Sequence, residues 1–248
     1  MLKESHRIRT LFINPTKISW KAEQCFTESV FTHLQHLRID PQSYNTSSNL
    51  ATAILQQPPP SLQTLTLVEV PINWNTLVGL PQTITSLYVK PSYPSDSDCA
   101  DILAALEGLP HLELLHIHGL PRVAAKSRNV VTLKNLRECS LGADLVSANY
   151  LTQYLSLPSL TRFEESVSTT DSDNVYSGSE ICELLLAMLH CYRRMTGMSG
   201  QFASAHVKPL PFSCYGSATV SFDTNPCVQT NQHDVSFTLH GSGWDSRS

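Results

Sequence analysis

The sequence has little of what usually announces an activity. No window approaches the roughly 18 uninterrupted apolar residues of a membrane span. The opening residues Met1 to Arg7 lead at once into a strand-like Ile8–Ile13 instead of the apolar run of a signal peptide. The Asn45-Thr46-Ser47 sequon therefore has no secreted context to give it meaning. The seven cysteines are scattered, odd in number and form no C-x-x-C pair, so reduced thiols in a cytoplasmic or nuclear protein are expected. Charge is sparse: Asp, Glu, Lys and Arg make up 15% of the chain, with a net charge of −4. That balance offers no general attraction to nucleic acid or an anionic membrane. Arg7, Arg9, Arg193 and Arg194 are expected as solvated or helix-end charges, not phosphate contacts. G-x-S-x-G, a glycine-rich phosphate loop, H-E-x-x-H and EF-hand spacing are all missing. No enzyme activity, cofactor or metal is expected. Bulk disorder is excluded by the 41% of apolar residues.

What the sequence does contain is one hydrophobic phrase, repeated. Leu112-Glu-Leu-Leu115-His-Ile117 reads L-x-x-L-x-L, with Ile, Val, Phe or Cys allowed for Leu. It recurs as Ile8/Leu11/Ile13, Leu34/Leu37/Ile39, Leu62/Leu65/Leu67, Ile84/Leu87/Val89, Leu136/Cys139/Leu141 and, with the polar Glu165 in third place, Leu160/Phe163. The starts step by 26, 28, 22, 28, 24 and 24 residues. One such phrase is weak evidence in a leucine-rich chain, but a series at a near-constant step matches leucine-rich repeats. The last two apolar positions lie two apart and so share one side of a short strand, and the first turns inward ahead of it. A single unit cannot bury these side chains, so the units must stack, with parallel strands on the concave side.

The connecting segments fit that arrangement. A short helical turn is expected at Leu50–Leu55, ended by Pro58, Pro59 and Pro60, which read as a rigid turn rather than a polyproline ligand. Trp74, Leu77 and Leu80 lie in the next segment. Cys99–Leu106 is the best short helix of the first half, with Gly108 as its stop, and Leu151, Tyr154 and Leu155 form another candidate. Leu-Pro pairs at 80–81, 109–110 and 157–158 precede the following phrases at similar distances.

Beyond Leu160 the pattern changes. Ser166–Ser179 reads as an exposed loop. Ile181, Leu184, Leu185, Met188, Leu189 and Tyr192 then form the clearest amphipathic stripe of the chain, within a helix expected over 179–194. Ser177 and Glu180 fit a capping box, and the helix is expected to cover the last repeat. Residues 196–216 read as irregular. Ala218/Val220/Phe222 and Val235/Phe237/Leu239 alternate as strands.

Candidate functional residues lie between the apolar positions of each phrase. The central column is Phe12, Arg38, Thr66, Tyr88, His116, Ser140 and Glu164, flanked by Thr10, His36, Lys90, Leu114, His118, Glu138 and Arg162. Aromatic and arginine side chains suit partner recognition, so Phe12, Arg38, Tyr88, Lys90, His116, His118, Arg162 and Glu164 are the expected contacts of a protein partner on the concave face. His116 and His118 share a face, but with no third ligand in nearby sequence they are expected to meet solvent or a partner, not a metal. His190 and Cys191 are adjacent on a helix and point apart, so they are not a nucleophile pair.

The units Leu109-Pro-His-Leu-Glu-Leu-Leu-His-Ile117, Pro60-Ser-Leu-Gln-Thr-Leu-Thr-Leu67 and Leu157-Pro-Ser-Leu-Thr-Arg-Phe163, with the opening His6–Ile13, resemble the leucine-rich-repeat region of fungal F-box proteins. The resemblance covers about residues 6–165. In that family an F-box binds the adaptor of a cullin ubiquitin ligase and the repeats select the substrate. Nothing before Ile8 matches an F-box, so an adaptor contact is expected only if an F-box lies upstream. The expected fold is α/β: an irregular leucine-rich-repeat solenoid, about seven repeats over 1–165, with short helices and loops on the convex side. Residues 166–248 are expected to cap it with a helix and a C-terminal strand pair. The expected role is a protein-interaction scaffold; the alternative is a structural, oligomerising repeat protein with no ligase link.

Overall fold

In a computed structural model of the chain, the residues described are 4–14, 31–40, 49–92, 97–120, 129–143, 145–168, 190, 192–195, 202–209, 216–224 and 234–241. The fold is mixed α/β with largely parallel strand pairing and few helices. It divides into two compact units, Met1–Ser127 and Arg128–Ser248.

The repeating element begins with a turn. The N–H groups of Leu34, Leu62, Ile84 and Leu112 donate to the carbonyls of Phe31, Pro59, Pro81 and Leu109, three residues earlier. The residue that closes each turn is fully buried and is the first apolar position of the phrase. Pro60 and Pro110 occupy the second turn position, where the fixed φ of proline is already the one required. The Leu-Pro pairs are thus not all equivalent. Leu109 itself supplies the turn carbonyl, whereas at 80–81 it is Pro81, one residue further along.

Two successive N–H groups after each turn then converge on one carbonyl of the preceding repeat. Gln35 and His36 donate to Arg9, Gln63 and Thr64 to Gln35, Thr85 and Ser86 to Gln63, and Glu113 and Leu114 to Thr85, all at 2.8–3.0 Å. This fork fixes the register of each strand before its ladder starts. Five strands follow among the described residues of the first unit: β1 Thr10–Ile13, β2 His36–Ile39, β3 Thr64–Val68, β4 Ser86–Lys90 and β5 Leu114–His118. Each pairs in parallel with the next, and Leu11, Leu37, Leu65, Leu87 and Leu115 are aligned across all five. From β2 to β5 the last two apolar positions are buried and the residues between them are not, the alternation of a strand with one face on a core.

Short helices carry the chain between strands. The first, α1, runs Asn49–Gln56 and buries Ala51, Ile54 and Leu55. A 3-10 turn at Trp74–Leu77 is capped by Asn73, whose side-chain oxygen accepts the Asn75 N–H at 3.0 Å. α2, Cys99–Glu107, opens with a full capping box: Asp98 accepts from the N–H groups of Ala100 and Asp101, and Asp101 accepts from that of Asp98. Gly108 ends it in a right-handed conformation, not the left-handed one that glycine alone favours.

In the second unit the same turn and fork recur. Leu136 donates to Leu133, Leu160 to Leu157, and Thr161 and Arg162 both donate to Arg137. A two-residue strand β6, Val131–Thr132, pairs in parallel with β8, Leu155–Ser156. The larger sheet of this unit runs β7-β9-β12-β11-β10, where β7 is Glu138–Ala143, β9 Arg162–Ser168, β10 Phe202–Pro209, β11 Gly216–Thr224 and β12 Asp234–Gly241. β9 is parallel to both β7 and β12, and the last three strands are antiparallel. α3 spans Leu145–Tyr154.

Three expectations need correcting here. Residues 202–209 form a strand, not irregular chain; the alternating Ala203, Ala205 and Val207 include two alanines, which have low strand preference. The start of the expected loop, Ser166–Ser168, belongs to β9: Ser166 and Val167 pair with both β7 and β12, and Ser168 with β12. Leu155 has left the helix and pairs within β8. The strands expected around Val220 and Phe237 are present as β11 and β12. Most of the helix expected over 179–194 lies outside the described residues. Residues 192–195 are helical: Tyr192 packs its ring 5.6 Å from that of Phe163, and the Met195 carbonyl accepts the Leu157 N–H at 2.8 Å.

Candidate surface on the outward side of the strands

In the first unit, the ladder aligns Phe12, Arg38, Thr66, Tyr88 and His116 across five strands. This is five of the seven residues of the column anticipated from the repeat phrase. They occupy the side of the strands opposite the buried leucines, where Phe12 is 58% exposed. A second row on the same side holds Thr10, His36, Thr64, Ser86 and Leu114, and a third holds Val68, Lys90 and His118 toward the strand ends.

Two local clusters form on this side. At β1 and β2, the Arg38 guanidinium carbon stands 5.6 Å from the centre of the Phe12 ring, within cation–π range. Asp40 fixes the other side of Arg38 through an ion pair from Nη2 to Oδ2. At β4 and β5, the ring of Tyr88 lies 5.8 Å from both His116 and His118, tilted by 31° and 49°. Parallel pairing makes that contact: Tyr88 is opposite His116, and His118 is the next residue pointing the same way. Lys90 is exposed and makes no ion pair among the described residues. Its carbonyl accepts the N–H of Glu69, which turns off β3 with φ of 52°.

In the second unit, Arg162 and Glu164 also come together. Arg162 Nε donates to Glu164 Oε1 at 3.1 Å, and Glu138 Oε2 lies 3.9 Å from Arg162 Nη1. This group carries two carboxylates to one guanidinium, opposite in balance to the strand side of the first unit. Ser140, the other member of the column here, is aligned with Glu164 but buried. Two features were missed by the repeat pattern. Asp40 sits two residues after Arg38, a spacing that favours one side of an extended chain and was the available signal. The left-handed Glu69 has no sequence signal, since glycine and asparagine are the residues that usually announce one.

Among the described residues no group of three or more His, Cys, Asp or Glu is placed to hold a metal ion, and no helix is long and apolar enough to cross a membrane. No family model matches the chain, and no curated protein matches it. Among solved structures it is similar to InlP of Listeria monocytogenes, with a TM-score of 0.28 and 10% sequence identity, over 96% of this chain and 89% of that one. A likeness of that size has no bearing on fold detail or activity.

Proposed function

We propose that the chain is a non-enzymatic protein-binding scaffold, built as an irregular leucine-rich-repeat solenoid with its parallel strands on a concave side. In this reading residues 1–165 are the repeats and 166–248 close their end. The observation that supports it is the register of β1–β5, which aligns Phe12, Arg38, Thr66, Tyr88 and His116 opposite the core. Core packing does not require aromatic and cationic side chains there, whereas partner recognition uses both types. Phe12, Arg38, Tyr88, Lys90, His116 and His118 form the binding surface of the first unit, with Arg162 and Glu164 a second contact. Recruitment to a cullin-type ubiquitin ligase, which the F-box resemblance implies, is the finer form of the proposal.

The test is a quantitative comparison of co-purifying proteins between the unsubstituted chain and Arg38→Glu combined with Tyr88→Ala. The expected result is selective loss of partners with an unchanged unfolding midpoint. Unchanged partners would sink the binding surface. Recovery of a cullin adaptor among the partners, dependent on sequence upstream of Met1, would support the ligase form. A partnerless homo-oligomer in light scattering would favour a structural role instead.

A further inference from the structure

We infer that the occupant of the outward side of β1–β5 is an acidic, extended segment of a partner protein, carrying carboxylates about four residues apart around an aromatic residue. This rests on the binding role proposed above and adds the chemistry of the partner. The thirteen outward strand positions, from Thr10 to His118, include Arg38, Lys90 and three histidines, His36, His116 and His118, and no carboxylate. The chain as a whole has more acidic than basic residues, 21 against 17, so this side runs against the general balance. Acidic groups stand at its margin: Asp40, bonded to Arg38, Glu69, at the turn after β3, and Glu113, just before β5.

The Asp40 contact orients Arg38 without exhausting it. One Nη2 bond uses a single one of the five guanidinium donors, and the guanidinium stays about half exposed over Phe12. Lys90 is the second anchor. Arg38 and Lys90 lie two strands and one outward position apart, about 12 Å at the usual strand spacing and rise. An extended peptide covers that distance in about four residues, and residues four apart point the same way, as does the one midway between them. That midway residue falls over β3 between Thr66 and Val68, one strand from Tyr88, whose ring is the nearest aromatic partner for its side chain. The whole row spans about 19 Å, the length of a six-residue extended segment.

The probe is a fluorescein-labelled peptide, GGEGYGEGG, compared by anisotropy with GGQGYGQGG and with labelled oligouridylate, all on the full chain. The glutamate peptide is expected to bind about tenfold more tightly than the glutamine peptide at low salt, and this advantage should shrink as salt screens the pairs. Arg38→Glu and Lys90→Glu should each cut affinity for the glutamate peptide about fivefold or more and spare the glutamine peptide, while Lys134→Glu, an exposed turn residue of the second unit outside the binding surface, should change neither. Unfolding midpoints of the variants show whether they fold, and the salt series on the unsubstituted chain is independent of them. Equal affinity for both peptides, lost in Tyr88→Ala, overturns the acidic occupant and leaves the binding surface standing. Tighter binding of oligouridylate overturns the inference in favour of single-stranded nucleic acid. No peptide binding up to about 1 mM also overturns it, and the partner comparison then judges the surface on its own.

Discussion

Truncating Leu115 to Ala should remove a large part of the first unit's stability, while truncating its neighbour His116 should not. Leu115 is fully buried, aligned with Leu87 on β4 and flanked by the equally buried Leu112 and Ile117. The substitution deletes three carbons, about 2.4 kcal/mol of transfer free energy at about 0.8 per methylene. The cavity term adds to this, giving an expected range of about 2–5 kcal/mol. The upper half is expected, because Leu87 is held by ladders to both β3 and β5 and cannot move far into the void. In urea unfolding, with a slope of about 2 kcal/mol/M, a loss of about 3.5–5 kcal/mol lowers the midpoint by about 1.8–2.5 M. His116 is only half-buried, on the other side of the strand, and His116→Ala should cost about 0.5 kcal/mol or less. A Leu87→Ala, Leu115→Ala double-mutant cycle should show a coupling of about 0.5–3 kcal/mol. A cost for His116→Ala above that for Leu115→Ala would refute the assignment of inward and outward sides, and with it the binding surface.

Other perturbations probe separate parts of the fold. Gly119 follows β5 with φ of 68°, and an added Cβ would meet Pro91 Cγ at 3.4 Å, so Gly119→Ala should destabilise by about 1–2 kcal/mol in thermal or urea unfolding. Asp98→Ala removes the acceptor of two α2 N–H groups and should cost about 1 kcal/mol; a change indistinguishable from zero would deny the capping box. Burial pushes the Tyr192 phenol up to about 12 from 10.0. Its folded pKa is above the unfolded one, so its contribution, about 2–3 kcal/mol, is complete below about pH 10 and lost as pH rises through about 12. Ultraviolet titration should find one of the eight tyrosines ionising last, and Tyr192→Phe should abolish that phase. All eight ionising together near pH 10 would contradict the burial.

Much of the strand side of the first unit was legible in the chain itself. The L-x-x-L-x-L phrase is a packing rule: one residue closes a turn inward and two more point inward from a strand, so its spacing dictates which side chains face out. The phrase placed Phe12, Arg38, Thr66, Tyr88 and His116 in one column, and the ladder aligns those same residues. Local pattern was also enough for α2, where Asp98, Asp101 and the apolar residues behind them act within a few residues of one another. It was not enough for Phe202–Pro209 or Ser166–Ser168, where strand formers such as Val207 and Val167 are diluted by Ala, Ser, Lys and Pro and the backbone pairs with neighbouring strands. The fork of two N–H groups onto one carbonyl depends on the preceding repeat and leaves no mark on side-chain type. The same holds for Arg38 over Phe12 and for Tyr88 between His116 and His118. Sequence periodicity thus determined which residues face outward, because inward burial is decided residue by residue along one strand. Only the tertiary structure decided which outward residues touch, because those contacts run between strands that the sequence separates by a whole repeat.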